Sequence, residues 1–460
     1  MNFTPLGRVV ALAVLCAASF SRAQQSQPLS FRADAPGIDE NPLRGFVPFV
    51  GEIKGTDFFP TSLEWFYMPL SDIVKGENTY DWTALDKQLA GISSRGHQAI
   101  FRFYVDYPKR PSGIPAYLIA DGLKTFPYND DGNGNDAVTK THSVAPDYSD
   151  PRLIQCFTNF VHALGARYDG DTRIAFLTVG LYGFWGEFHV HRHPTPGEPA
   201  GWAISQRDID AILQAWVDSF HKTHIEARYA FITPNHELLS HFGFEDDSFL
   251  QDTLGDPPAR FWSGMKAGNM TDSWKRLPTG GEVRPELEAG LWNTWPPSQG
   301  QDIVSAIQTI HPTWMLESEM FRAPSPPAVL ANALRADRLL GYTFFASRFS
   351  IIPGPPATLN VRIENRGIAP FYYNWPVEAE IVDSHGQTLS KTTGAWPLPS
   401  LLPNTASDWT LTFDAIPPSA TAILLHIPNP MSGGHPIAFA NAEMSTVRPG
   451  WLTLKLPPNR

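Results

Sequence analysis

From about residue 41 to 345 the chain alternates short apolar runs with longer mixed segments, and this rhythm restricts the fold more than any other feature. Parallel strands need a long crossover between them, so repeated strand–helix alternation reads as a parallel sheet or barrel. The candidate strands are Gly45–Val50, Leu63–Pro69, Ala99–Val105, Ile174–Leu181, Tyr229–Thr233, Ser248–Gln251, Gly281–Arg284 and Thr313–Leu316. Eight is the strand count of a (β/α)₈ barrel; the sixth and seventh rest on the shortest runs. Helical spacing of apolar residues predicts helices beginning at Trp82 after Asp81, over Arg152–Tyr168 behind Ser149-Asp150-Pro151, and over Ser205–Lys222.

The pattern changes near residue 345. Pro353-Gly-Pro-Pro356 reads as a linker, and alternating strands follow at Leu359–Glu364, Val377–Val382, Trp409–Phe413, Ala422–Ile427 and Trp451–Leu456. With no helix signal among them, they predict an antiparallel β-sandwich. At the other end, Arg8, the apolar run Val9–Ala18 and Ser21-Arg22-Ala23 match a secretory leader cleaved after Ala23. That run is shorter than the roughly 20 residues a spanning helix needs. The expected organisation is therefore a leader over 1–23, a barrel over 24–345 and a sandwich over 346–460, in a secreted or periplasmic protein with no membrane segment after cleavage. Cleavage leaves Cys156 as the only cysteine, so no internal disulfide is expected. A net charge of −11 without any basic run argues against nucleic acid as a partner. The 14 Trp, 13 Tyr and 29 Phe suit a protein that binds neutral glycans, although large cores also need aromatics.

Catalytic side chains of a barrel come from the C-terminal ends of its strands. The residues at those ends are Arg102 and Asp106 after the third strand, and Trp185, Glu187 and His189 after the fourth. Asn235 and His236 follow the fifth, Glu282 and Arg284 the seventh, then Trp292, Asn293 and Trp295, and Glu317 ends the eighth. Glu187 and Glu282 form a carboxylate pair of the kind that cleaves glycosidic bonds, one protonating the leaving oxygen and one ionised. Phe184 and Trp185 beside Glu187 predict a raised pKa and the acid/base role. Arg284, two residues from Glu282 and on the same face if the strand continues, or Arg102, predicts an ionised nucleophile there. The remaining polar and aromatic residues are candidate sugar contacts. Among Trp65, Trp185, Trp292 and Trp295, the loop-borne Trp295, before Pro296-Pro297, is the best candidate for stacking on a pyranose face. His189, His191 and His193 alternate on one face and form the competing possibility, a zinc site, without the further ligands of a recognised motif. Asn129–Asp136, rich in Asp, Asn and Gly, reads as a solvated loop, with calcium binding as the alternative. No cofactor or metal is expected.

Several blocks resemble a known family. Asn41-Pro-Leu-Arg-Gly-Phe46, Tyr182-Gly-Phe-Trp-Gly-Glu187, Gly280-Gly-Glu282, Leu340-Gly-Tyr342, Asn429-Pro-Met-Ser-Gly-Gly and Ile437-Ala-Phe-Ala-Asn441 resemble the DUF4832-type secreted bacterial family over nearly the whole mature chain. More distantly, Leu63-Glu-Trp-Phe-Tyr and Gly76-Glu-Asn-Thr-Tyr-Asp-Trp82 are similar to the second-strand region of the retaining β-glycosidase barrels that include β-galactosidases. That resemblance implies an acid/base Glu after the fourth strand and a nucleophile after the seventh, the places of Glu187 and Glu282. Those enzymes carry Asn immediately before the acid/base Glu, where this chain has Gly186, and their tyrosine after the sixth strand is not evident here. The function expected is hydrolysis of a plant or microbial poly- or oligosaccharide. The alternatives are a non-catalytic carbohydrate-binding barrel and a metal-dependent hydrolase.

Overall fold

A computed structural model describes residues 26–53, 58–128, 143–190, 204–256 and 260–457. Eight parallel strands form the barrel: β1 (Gly45–Val47), β2 (Leu63–Pro69), β3 (Gln98–Asp106), β4 (Ile174–Thr178), β5 (Ile225–Ala227), β6 (Gly243–Phe249), β7 (Thr279–Val283) and β8 (Trp314–Leu316). They pair in the order β2-β3-β4-β5-β6-β7-β8-β1. Beyond Val47 the chain meets β2 through Trp65 N to Pro48 O (2.9 Å) and Val50 N to Trp65 O (2.8 Å), which closes the ring.

The expected fourth run breaks at Val179-Gly180, and its continuation, Leu181–Phe184, pairs with the end of β3. The fifth strand is Ile225–Ala227, not Tyr229–Thr233, which forms turns. Glu226 interrupts the apolar run of the true strand, whereas Tyr229–Thr233 carries the β-favouring residues. The sixth strand begins five residues earlier than Ser248, because Glu245, Asp246 and Asp247 disguise it as a loop. The helices Thr83–Ser93, Pro151–Tyr168 and Gln206–Ser219 stand where spacing places them. The second is capped by Asp150, whose carboxylate accepts Arg152 N at 2.9 Å, and opens on Pro151, whose missing N–H costs nothing there. The insertion before β4 contains the helix Ala116–Ala120 and the hairpin Thr125–Tyr128/Ser143–Pro146. The Asn129–Asp136 loop, residues 1–25, His191 and His193 lie outside the described residues.

The C-terminal part holds two four-stranded antiparallel sheets. In one, Gln27–Pro28, Phe344–Ile352, Ala357–Asn365 and Ala406–Phe413 lie side by side. The other orders Thr388–Ala395, Pro376–Val382, Ala422–His426 and Leu452–Lys455. Alternate residues point inward, as in Leu359, Val361 and Ile363, and inner residues of both sheets share one apolar cluster. Pro353-Gly-Pro-Pro356 is a hairpin turn inside the first sheet, not a linker between units. This part docks on the N-terminal ends of the barrel strands. Tyr373 donates to Ala175 O (2.6 Å), Asn429 to Gln98 Oε1 (3.0 Å), and Asn41 exchanges two hydrogen bonds with Ala438. The C-terminal strand ends face the other way. Among the described residues, no helix is long and apolar enough to cross a membrane.

Candidate active site

At the C-terminal ends, side chains of β2, β3 and β5 to β8, with those of the loop after β4, converge on one charged cluster. Arg102 of β3 is fully buried, with Trp65 and Tyr67 of β2 beneath its guanidinium at 5.4 and 5.6 Å. It donates to Glu187 Oε1 at 3.0 Å and to Tyr67 Oη at 3.3 Å, and makes a very short contact with Glu245 of β6. Burial opposes its charge, but Glu245, Tyr67 and Glu187 keep it cationic. Glu187 also accepts from Tyr67 Oη at 3.2 Å, lies 3.0 Å from His189 Nε2, and has Arg228 Nε at 3.9 Å. Arg228 in turn pairs closely with Asp247. Deeper in the barrel, Trp314 of β8 stacks on Trp65 at 5.4 Å and donates to both oxygens of Glu226. A Cβ on Gly280 would lie 1.9 Å from the Trp314 ring, so only glycine leaves room for that indole.

The loop carrying Glu187 is unusually constrained. Leu181, Trp185 and Phe188 adopt left-handed φ values of 88°, 55° and 58°. Such conformations persist only where surroundings over-determine them, and they cluster at functional sites. Here Trp185 N donates to Asp106 O (2.9 Å), Phe184 N to His189 O (2.9 Å) and Phe188 N to Tyr182 O (2.9 Å). Gly186 has φ 76°, and a Cβ there would approach Phe103 O to 2.5 Å. The asparagine of the glycosidase barrels therefore has no space at this position.

The electrostatics reverse the protonation expected from sequence. Burial alone would raise the Glu187 carboxyl, but Arg228, the His189 hydrogen bond and Arg102 outweigh it and hold it well below the usual carboxylate range. Glu282, on β7, is pushed up to about 8 by burial and by the charges of Glu187 and Glu288, which outweigh Arg102 and Arg228. Among the described residues no side chain hydrogen-bonds Glu282. The expected partner, Arg284, instead pairs with Glu286 (2.5 Å) and reaches Ser248 Oγ at 3.5 Å. Desolvation at Glu187 is the largest single effect but is outweighed in sum, because three donors and a second guanidinium surround the carboxylate.

Other candidates separate into those at the mouth and those elsewhere. Trp185 and His189 belong to a succession of half-buried rings, Tyr67, Tyr107, Trp185, His189 and Tyr229, each within 6.5 Å of the next, ending at the exposed Phe231. Asp106 accepts Tyr128 Oη at 2.5 Å and anchors the insertion hairpin. Asn235 caps the helix His236–Leu239, and His236 lies 3.1 Å from Gly268 O, so both serve local structure. Trp292 is buried and donates to Glu317 Oε1 at 3.1 Å. Glu317 is also buried and pushed up to about 8 by burial and Glu288. Asn293 is exposed, and Trp295 packs under Arg335 with the guanidinium 4.5 Å from its ring centroid. None of the six residues Asn235, His236, Trp292, Asn293, Trp295 and Glu317 joins the cluster; for Trp292, Asn293 and Trp295 the reason is that the β7–β8 connection folds back against helix Pro327–Asp337.

The structure adds Tyr67, Glu226, Arg228, Glu245 and Asp247 to the site. Glu226/Arg228 and Glu245/Asp247 are i, i+2 pairs, the alternation that marks one face of a strand. Glu187, His189 and Asp247 also bring three potential metal-ligand atoms within 4.8 Å of one another. The cation already between the two carboxylates is Arg228. A narrow cleft of about 10 Å³ lies among Tyr67, Arg102, Glu245, Asp247 and Glu282, the space of about one water.

No family model and no curated protein matches the sequence, so the DUF4832-type resemblance stands on the quoted blocks alone. Among solved structures the chain is similar to endo-glycoceramidase II from Rhodococcus sp., at 13% identity over 83% of this chain and 99% of that one, with a TM-score of 0.39. It is also similar to a bacterial Ig-like-domain-containing GH10 xylanase from termite gut, at 8% identity over 67% and 79% with a TM-score of 0.36. A third is the polyextremophilic β-galactosidase from the Antarctic haloarchaeon Halorubrum lacusprofundi, at 14% identity over 65% and 58% with a TM-score of 0.33. All three are glycoside hydrolases.

Proposed function

We propose that this protein is an exported glycoside hydrolase, a barrel followed by a β-sandwich, that cleaves poly- or oligosaccharide by a retaining two-carboxylate mechanism. The observation that carries the reading is a buried acidic pair at the C-terminal ends of the barrel strands: Glu187, in the loop after β4, accepts from Arg102 and Tyr67 and lies beside His189, whereas Glu282 of β7, on the wall of the adjoining cleft, has no side-chain hydrogen bond among the described residues. Against burial, Arg228, His189 and Arg102 draw the Glu187 carboxyl down, and burial with the charge of Glu187 pushes Glu282 up to about 8, so Glu282 is the better proton carrier. The geometry favours exchanging the roles that sequence order suggests. Glu187 Oε attacks the anomeric carbon as the C1–O bond breaks, and Glu282 gives its proton to the departing oxygen. Water then replaces the Glu187 ester and returns its proton to Glu282. Tyr67, Arg102 and His189 orient the attacking carboxylate, and Trp185 with the neighbouring rings offers π faces to sugar C–H groups.

The test is hydrolysis of paired substrates, one with an activated aryl leaving group and one with a plain sugar. Glu187→Gln abolishes turnover of both. Glu282→Gln damages the unactivated substrate most, because an aryl group departs without a proton. The opposite pattern restores the order implied by the glycosidase resemblance, and a product of inverted configuration removes the covalent role from Glu187.

A second reading, carbohydrate binding without turnover, is favoured by one feature. Both Glu187 oxygens are engaged and the adjoining cleft has room for about one water. Glycan binding by wild-type protein, with no hydrolysis of any substrate, selects it.

A further inference from the structure

On the flank of the barrel, away from the charged cluster, the described residues enclose a second cavity of about 290 Å³. Three elements build it: the hairpin Val74–Gly76/Thr79–Tyr80, the helix Ala116–Ala120, and the first turns of Pro151–Tyr168. Its size is at the lower end of ligand pockets, suited to a single ring. The half-buried rings of Tyr80 and Tyr117 line it, Tyr80 being backed by Trp82, stacked at 5.5 Å with 28° between planes. Leu118 and the buried Cys156 also line it.

The rim carries three linked amides. Gln155 Nε2 donates to Asn159 Oδ1 at 2.6 Å, and Asn159 Nδ2 donates to Asn78 Oδ1 at 2.9 Å. This orients the chain so that one donor, the Asn78 amide nitrogen, and one acceptor, the Gln155 amide oxygen, have no protein partner among the described residues. Aromatic walls with a donor and an acceptor at the edge match a ring that is apolar on its faces and hydroxylated at its rim. An anion fits poorly, since Glu77 and Asp121 lie at the opening and Arg152 is tied to Asp150 and to Asp121 O. A purely apolar ligand would desolvate the amides without replacing their hydrogen bonds. Covalent chemistry at Cys156 is disfavoured, because burial pushes the thiol up to about 11.

We propose that this cavity is a non-catalytic carbohydrate site that binds one pyranose ring, placed to hold a glycan on the protein independently of the barrel mouth. The proposal does not depend on turnover at Glu187. It is tested by saturation-transfer NMR with methyl glucoside, galactoside, mannoside and xyloside on the full chain carrying Glu187→Gln. The readout is repeated after adding Asn78→Gly and Gln155→Ala. Both positions are exposed, and glycine accepts the left-handed φ of 52° at Asn78, so an unchanged melting temperature certifies the fold. At least one pyranoside gives signal, and the double substitution weakens it about tenfold or more, the loss expected from one or two hydrogen bonds. The proposal is overturned if no pyranoside binds, if binding survives the double substitution, or if indole binds the cavity and no sugar does.

Discussion

Replacing Arg102 by Met removes the cation on which the barrel centre depends. The guanidinium is 1% exposed and contacts Glu187, Glu245 and Tyr67. Methionine keeps much of the stem's packing but leaves two buried carboxyls short of a counter-charge. Breaking a buried ion pair from one side costs about 3–5 kcal/mol. With an unfolding entropy of roughly 2.1 cal/mol/K per residue, that lowers Tm by roughly 3–6 °C for a chain of this length. The double variant Arg102→Met/Glu245→Gln isolates the cause, because a neutral amide needs no counter-charge and Glu187 keeps Arg228 and His189. The double variant is expected to recover at least half of the lost stability, and the assay is calorimetric melting of the two single variants, the double variant and the parent. Arg102→Met melting within a degree of the parent, or a double variant no better than Arg102→Met, would refute the account of Arg102 as the essential counter-ion.

Five further outcomes follow from the same geometry. The alkaline limb of kcat/KM falls near pH 8, the pair titrating as a unit with Glu282 as the proton carrier; a limb below pH 6 contradicts it. Stability shifts in the matching direction. Glu282, raised from 4.5 to about 8, holds a proton in the folded state that the unfolded chain has lost, so denaturant midpoints decline from about pH 4.5 to 8, and Glu282→Gln flattens that slope. Gly186→Ala lowers stability by more than about 1 kcal/mol, since the left-handed φ and the Phe103 carbonyl both oppose a Cβ; an unchanged melt disproves it. Glu317→Gln is nearly silent in melts at pH 7, whereas Glu317→Ala costs about 1–3 kcal/mol by orphaning the Trp292 N–H. Activity survives EDTA, because Arg228 is the cation between Glu187 and Asp247; loss reversed by zinc would favour metal chemistry.

The barrel was legible where strands are apolar throughout. Leu63–Pro69 was expected with its observed bounds, and Ala99–Val105 lacks only its terminal residues. Legibility failed where the barrel carries its chemistry. Glu226, Glu245 and Asp247 put charges into β5 and β6 or their ends, lowering the apolar signal of strands that nonetheless pair in register. Such placement contradicts the usual rule that polar residues mark loops; ion pairing makes it tolerable for Glu245 and Asp247, and the Trp314 N–H with a raised pKa does so for Glu226. Trp292, Trp295 and Glu317 failed for the opposite reason. Their position after barrel strands suggested the mouth, but the packing of the β7–β8 connection is a tertiary fact without a local signature. The blocks behind the family resemblance also acquire a physical meaning. Asn41–Phe46, Leu340–Tyr342 and Ile437–Asn441 meet one another where the C-terminal sheets dock, with Arg44 donating to Leu340 O and Asp337 O, Tyr342 to Pro42 O, and Asn41 to Ala438 O. In this chain those blocks join sheet to barrel and lie away from the charged cluster.

Charge balance decides which carboxyl carries the proton. Two guanidinium groups, Arg102 and Arg228, serve five acids: Glu187, Glu226, Glu245, Asp247 and Glu282. Burial forbids five charges from sharing two counter-ions, so the acids with the poorest partners keep their protons. Glu187 has Arg102, Arg228, Tyr67 and His189; Asp247 has Arg228; and Glu245 has Arg102. Glu226 has only the Trp314 N–H, and burial, with Glu245 nearby, raises it well above the carboxylate range. It is sealed beneath the Trp65–Trp314 stack, where no substrate reaches it. Glu282 combines a carboxyl pushed up to about 8 with a place on the cleft wall beside Tyr67 and Arg102, whereas Glu245 on the same wall is also raised by burial but is tied to Arg102. On the proposed mechanism, the identity of the proton donor depends on where the arginines sit and not on the order of the strands. Moving a guanidinium to Glu282, by Leu316→Arg on the neighbouring β8 position in register with it, should ionise Glu282 and shift the alkaline limb to lower pH. A limb that stays near pH 8 in a folded variant would assign the proton to another group.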